Sequence, residues 1–109
     1  MDITQIQQPL ANYIRTLGKH IHVDDVIVFG SYCEGRADTE SDIDLLIVSD
    51  SFADMNEDDR LDLLYKTSQF MQPEIHPWGY TQQELQQASR LSLLGHARDT
   101  GTKFVHTIT

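Results

Sequence analysis

Residues 26–50 read VIVFGSYCEGRADTESDIDLLIVSD, and the way they are read decides the fold. Two apolar runs flank a polar loop, and the second run carries Asp42 at its head and Asp44 inside it. Carboxylates are expensive to desolvate without a partner, so a pair at the start of a strand calls for one. Alternate side chains of a strand point the same way. Asp42 and Asp44 therefore share one side, and Ile43, Leu45 and Ile47 take the other. Twice the strand rise sets the two carboxylates about 6.6 Å apart, a spacing from which both converge on ions held between them. Two hard divalent cations ~3.5–4 Å apart are the usual clamp for in-line phosphoryl or nucleotidyl transfer. Mg²⁺ shares its oxygen ligands between carboxylates and substrate phosphates. The expected partner is therefore Mg²⁺, as two ions, together with a nucleoside triphosphate.

Gly30-Ser31, at the end of the first run, supplies the complementary half. A glycine there lets backbone N–H groups approach phosphate, and a helical turn starting there aims its dipole at the anion. Ser31 adds a hydroxyl, and Gly35 permits the loop to fold back toward the aspartates. The competing reading of Gly30-Ser31 is an ordinary turn. A calcium loop is excluded for Asp38, Glu40, Asp42 and Asp44, because an EF-hand requires glycine where Ile43 stands.

Composition narrows the setting. A chain of 109 residues with 39% apolar and 23% charged residues has the size and balance of one small folded domain, residues 1–109. Seventeen acidic against eight basic residues give a formal charge of −9, which repels a phosphate backbone, so no direct nucleic-acid binding is expected. A basic protein, or a metal-neutralised small anion, suits that charge better. The single Cys33 forms no internal disulfide, and the first residues, MDITQIQQPLANYIRTLG, carry neither a basic leader nor an apolar core. The expectation is a cytoplasmic protein with no membrane segment.

Outward from the quoted stretch, Ile3, Ile6, Leu10, Tyr13, Ile14 and Leu17 recur at helical spacing, with Gly18 as a stop and Pro9 near the start. DDVIVFG and DIDLLIV read as strands. MNEDDRLDLLYKTSQFM reads as a helix with Leu61, Leu64, Tyr65 and Ser68 on its buried stripe. PEIHPWGY, limited by two prolines, suits an edge strand. TQQELQQASRLSLLGHA begins with a Thr81/Glu84 capping box and predicts one helix packing Leu85, Ala88, Leu91 and Leu94. The residues after it either add a short strand or dangle. The fold class predicted is α/β (α+β), a small mixed sheet flanked by helices, and the element order alone suits helices on one face.

The Gly-Ser, ten residues, then Asp-x-Asp leading into an apolar strand resembles the signature of the minimal nucleotidyltransferases of the DNA polymerase β superfamily. The likeness extends over nearly the whole chain, to the Tyr-Thr-x-x-Glu that opens the last helix. It implies a nucleotidyltransferase fold that binds MgATP and moves a nucleotidyl group to a hydroxyl. Members this small resemble the antitoxin half of two-gene modules, paired with a HEPN-domain ribonuclease toxin on which they adenylylate a tyrosine. By this resemblance Gly30 and Ser31 hold phosphates, and Asp42 and Asp44 bind the metals. The family's third carboxylate, on the next strand, matches Glu74, as general base and ligand of one metal. His76 shares Glu74's face.

Two alternatives stand beside this reading. One is an antitoxin acting by binding and occlusion, with weak catalysis. The other is transfer to a small molecule such as an aminoglycoside, for which 109 residues leave little to build an acceptor pocket, unless a partner chain or a second copy completes it. Arg36 reads more simply as a solvated loop residue than as a phosphate ligand. His20, His22, His76, His96 and His106 show no zinc spacing. Nothing adjacent in sequence marks Cys33 as a nucleophile. Trp78 and Tyr80 read as core packing rather than base stacking, and Asp54, Glu57, Asp58 and Asp59 as an exposed helix start.

Overall fold

The two apolar runs become β1 (Asp25–Phe29) and β2 (Ile43–Val48), antiparallel neighbours that place Val28 opposite Leu45 and Phe29 opposite Asp44. The computed structural model describes residues 7–30, 43–69 and 74–104. Before β1 runs α1 (Gln7–Leu17), with Pro9 near its described start. After β2 come a short 3-10 turn (Asp50–Asp54), α2 (Glu57–Ser68), β3 (Ile75–Tyr80), α3 (Gln82–Gln87), α4 (Leu93–Thr100) and β4 (Thr102–Lys103). The sheet order is β3-β2-β1-β4, with β3 parallel to β2 and β4 antiparallel to β1, so the sheet is mixed.

β1 and β2 are buried on both faces, which is what a near-continuous apolar run means in a central strand. Leu10, Tyr13, Ile14 and Leu17 of α1 and Leu64 of α2 pack with Val26, Val28, Leu45 and Ile47 on one face. Ile27, Phe29, Leu46 and Val48 pack with Leu85 of α3 and Ala97 of α4 on the other. The expectation of helices on one face is corrected here. Leu46 and Val48 alternate with Leu45 and Ile47 and are equally buried, so each face needs its own cover.

Two helical expectations also change. On α2 the buried positions are Arg60 and Leu64, while Tyr65 stands 44% exposed, because the helix turns its Arg60–Leu64 line toward the sheet. The predicted last helix divides into α3 and α4. Ser92 caps α4 by accepting from the Gly95 N–H at 3.0 Å. Arg98 donates to the Leu85 and Ala88 carbonyls at 3.0 and 2.8 Å, satisfying the end of α3. A Cβ at Gly95 would run into the Ser89 carbonyl, so glycine permits this tight approach. Leu91, on the connection, is 91% exposed rather than packed.

β3 is an edge strand, as its prolines predict. The Ile43 and Ser49 N–H groups donate to the carbonyls of Glu74 and Tyr80, so even-numbered residues of β3 turn their backbone to β2. Pro77 turns outward, where a missing N–H costs nothing. Arg60 Nη1 donates to the Gly79 carbonyl at 3.2 Å on that outer side, which blunts the edge against further pairing. Among the described residues no helix is long and apolar enough to cross a membrane.

Candidate active site

Gly30 ends β1 with φ 78°, a left-handed backbone that glycine adopts without penalty. Its Cα faces the side chain of Asp44. A Cβ built on Gly30 would collide with Asp44 Oδ2 and stand 3.3 Å from Asp44 Cγ. The glycine therefore makes the room in which the carboxylate sits. Asp44 is half-buried and alternates with the fully buried Ile43 and Leu45, so it looks out from the second face of the sheet, with Phe29 and Leu46.

The parallel register of β2 and β3 sets His76 level with Asp44 and Ile75 level with Ile43. Ile75 is buried toward α1 and α2, so His76 faces the opposite way, onto the side that Asp44 occupies. Glu74 lies immediately before β3, exposed, and its carbonyl accepts from the Ile43 N–H at 2.9 Å. Of the residues that sequence reasoning proposed, the structure thus brings Gly30 against Asp44 and sets Glu74 at the neighbouring strand end. Ser31 and Asp42, with the helical turn expected after Gly30, lie outside the described residues. Among the described residues no group of three His, Cys, Asp or Glu side chains forms a metal cluster.

The donor chemistry that is present suits a hard cation. Asp44 offers carboxylate oxygens at the mouth of a glycine-made recess, and Glu74 offers a second carboxylate just before the adjoining strand. Two residues gain a place that sequence left undefined. Phe29 is the cross-strand neighbour of Asp44, and His76 is its parallel neighbour; alternation in sequence shows a face but not a register.

At the opposite end of β2 and β3 from Asp44, a second polar cluster is well satisfied. Arg60, only 9% exposed, donates to the Phe52, Met55 and Gly79 carbonyls and to Glu84 Oε1. Glu84 also accepts from the Thr81 N–H at 2.7 Å while Thr81 Oγ1 accepts from the Glu84 N–H, completing the capping box that the sequence predicts. Burial alone would push the Glu84 carboxyl up, but the hydrogen bonds from Arg60 and Thr81 outweigh it and hold the group below the usual range. Burial, then the Glu57 and Glu84 carboxylates, push the Tyr80 hydroxyl up, so it stays protonated at neutral pH.

The sequence profile of the nucleotidyltransferase domain matches residues 9–99, which takes in both central strands and the Gly30–Asp44 pair. The chain belongs to the nucleotidyltransferase domain family. Its general chemistry is that of the family, transfer of a nucleotidyl group from a nucleoside triphosphate with divalent metal. Among solved structures, a Sulfolobus solfataricus protein with a provisional nucleotidyltransferase assignment superposes with a TM-score of 0.64 at 18% identity. The likeness covers 79% of this chain and 76% of that one and, at such identity, is a likeness of fold. No curated protein matches the chain. In this nucleotidyltransferase the mixed sheet flanked by helices is the family's architecture, and Asp44 stands on its second face.

Proposed function

We propose that this nucleotidyltransferase transfers AMP from ATP to a tyrosine hydroxyl of a partner protein, and that it is the antitoxin of a HEPN-type ribonuclease toxin. The observation that carries the chemical part is the apposition of Asp44 and the positive-φ Gly30 at the start of β2. A backbone free of a side chain next to a carboxylate is what a metal-bound triphosphate requires. The acidic charge of −9 supports a protein partner in preference to nucleic acid.

In this reading Gly30 and Ser31 hold the phosphates through backbone N–H groups and the serine hydroxyl. Asp42, Asp44 and Glu74 hold Mg²⁺, which when bound neutralises phosphate charge. The acceptor hydroxyl oxygen attacks the α-phosphorus, the bond from that phosphorus to the bridging oxygen of the β-phosphate breaks, and pyrophosphate leaves. The hydroxyl proton passes to a Glu74 carboxylate oxygen. Asp44 is held in place by its strand and by the space Gly30 leaves, so the carboxylate needs no rearrangement when substrate arrives.

The test is the intact mass of the protein encoded beside this one after incubation with this chain, Mg²⁺ and ATP. A gain of one or more adenylyl groups is expected, and its loss in the Asp42→Asn/Asp44→Asn variant with an unchanged thermal midpoint. Transfer retained in that variant refutes the metal assignment. A stable complex with no gain in mass replaces catalysis by occlusion.

A further inference from the structure

Phe29, the cross-strand neighbour of Asp44, is also a wall of a hollow of about 50 Å³ on the second face of the sheet. Its other walls include Leu46, two residues beyond Asp44 on β2, and Trp78, two beyond His76 on β3. Tyr80, Leu93 and Leu94 complete the rim. Two strand residues span about 6.6 Å, so the hollow begins one side-chain repeat from the carboxylate. A nucleotide with its α-phosphate at Asp44 carries its base one ribose away, which is the same kind of reach.

Trp78 is 38% exposed and Leu93 59% exposed, so an aromatic face and an aliphatic rim stand open to solvent beside the carboxylate. The hollow is too small for a whole base. It admits a ring edge while the ring plane lies on Trp78. We propose that this hollow, with Trp78 as its platform, is the nucleobase subsite; the inference rests on the triphosphate lying at Gly30 and Asp44. Among the described residues the lining presents no charged or amide side chain, and its two polar side-chain groups, the Tyr80 hydroxyl and the Trp78 indole N–H, do not form the paired donor and acceptor of an amide that tells one purine edge from another. The base is held by stacking, which tolerates any base because each has a π-face. Trp78 is therefore a positioning residue for the nucleotide, and the subsite discriminates weakly between purine triphosphates.

The chain holds a single tryptophan, so its emission reports the platform directly. The full chain in Mg²⁺ is titrated with ATP, GTP and inorganic tripolyphosphate, with affinity from calorimetry and emission read alongside. ATP and GTP are expected to quench Trp78 and to bind within about threefold of each other, and tripolyphosphate to bind without quenching, roughly 5- to 100-fold more weakly. Trp78→Ala lowers ATP affinity toward that of tripolyphosphate and leaves tripolyphosphate unchanged, while Trp78→Phe retains most of the difference. Leu93→Gln, at the exposed rim, weakens ATP alone and does not depend on the tryptophan variant folding. ATP bound no more tightly than tripolyphosphate, with no quenching, overturns the base subsite and leaves the phosphate site standing. Failure of all three to bind overturns both. A preference above about tenfold between ATP and GTP overturns stacking as the mode of recognition.

Discussion

Replacing Gly30 by alanine puts a methyl group where the Asp44 carboxylate already stands. An L-residue at φ 78° costs roughly 1–2 kcal/mol. The stiffer unfolded chain of alanine returns about 0.4–1 kcal/mol. Turning Asp44 out of its rotamer to clear the new methyl adds about 0.5–1.5 kcal/mol. The net loss is about 0.5–3 kcal/mol, read from urea denaturation at unchanged m-value. Only the rotamer contribution involves Asp44, so Gly30→Ala is expected to cost about 0.5–1.5 kcal/mol less in an Asp44→Ala background, a coupling that a double-mutant cycle isolates. Displacing the carboxylate by about 1 Å also predicts a fall of about 10²-fold in the rate of nucleotidyl transfer. A coupling energy of zero with wild-type transfer in Gly30→Ala refutes the claim that this glycine exists to seat Asp44.

Arg60→Met removes the guanidinium donor from the Met55 and Gly79 carbonyls and one of two donors from the Phe52 carbonyl and Glu84, which keep the Met55 and Thr81 N–H groups, at an expected cost of about 2–4 kcal/mol in the same denaturation assay. Arg60→Lys is expected to recover less than half of it, because a single ammonium does not span the guanidinium's acceptors; a methionine variant as stable as the parent refutes the account. Glu84 has its carboxyl pKa depressed in the folded state, so its stabilisation is complete above the unfolded value of 4.5 and is lost as pH falls through the lower folded value. The thermal midpoint should decline on acidification below about pH 5, and less steeply in Glu84→Gln; identical slopes in the two proteins would exclude Glu84 as a source of the decline.

Much of this protein is written in local sequence. The runs at 26–29 and 43–48 are apolar at consecutive positions, and a strand needs nothing more to declare itself. Thr81 and Glu84 sit three residues apart because a capping box closes its hydrogen bonds within one turn, and the sequence states it in full. Gly30 and Asp44 were also legible, one as a glycine at a strand end and the other by its place in an apolar run. What they do to each other was not. The apposition of Gly30 with Asp44, Phe29 beside Asp44 on one side and His76 on the other are products of strand register. Register is settled by pairing between segments distant in the chain, and no short-range pattern encodes it.

The same division explains the corrections. A helix-long pattern from Thr81 onward conceals the second cap at Ser92, because whether Ala88 ends one helix depends on Arg98 reaching its carbonyl. Arg60 looks like a surface residue until Phe52, Met55, Gly79 and Glu84 are gathered around it from three other parts of the chain. Sequence alone determined the three long strands, the first two long helices, the side of β2 on which Asp44 stands and the family signature, since periodicity, caps and spacing act over a few residues. Tertiary structure alone decided which side chains meet: the recess that holds Asp44, the helices on both faces of the sheet, and the aromatic hollow beside the carboxylate, each made by contacts between residues far apart in the chain.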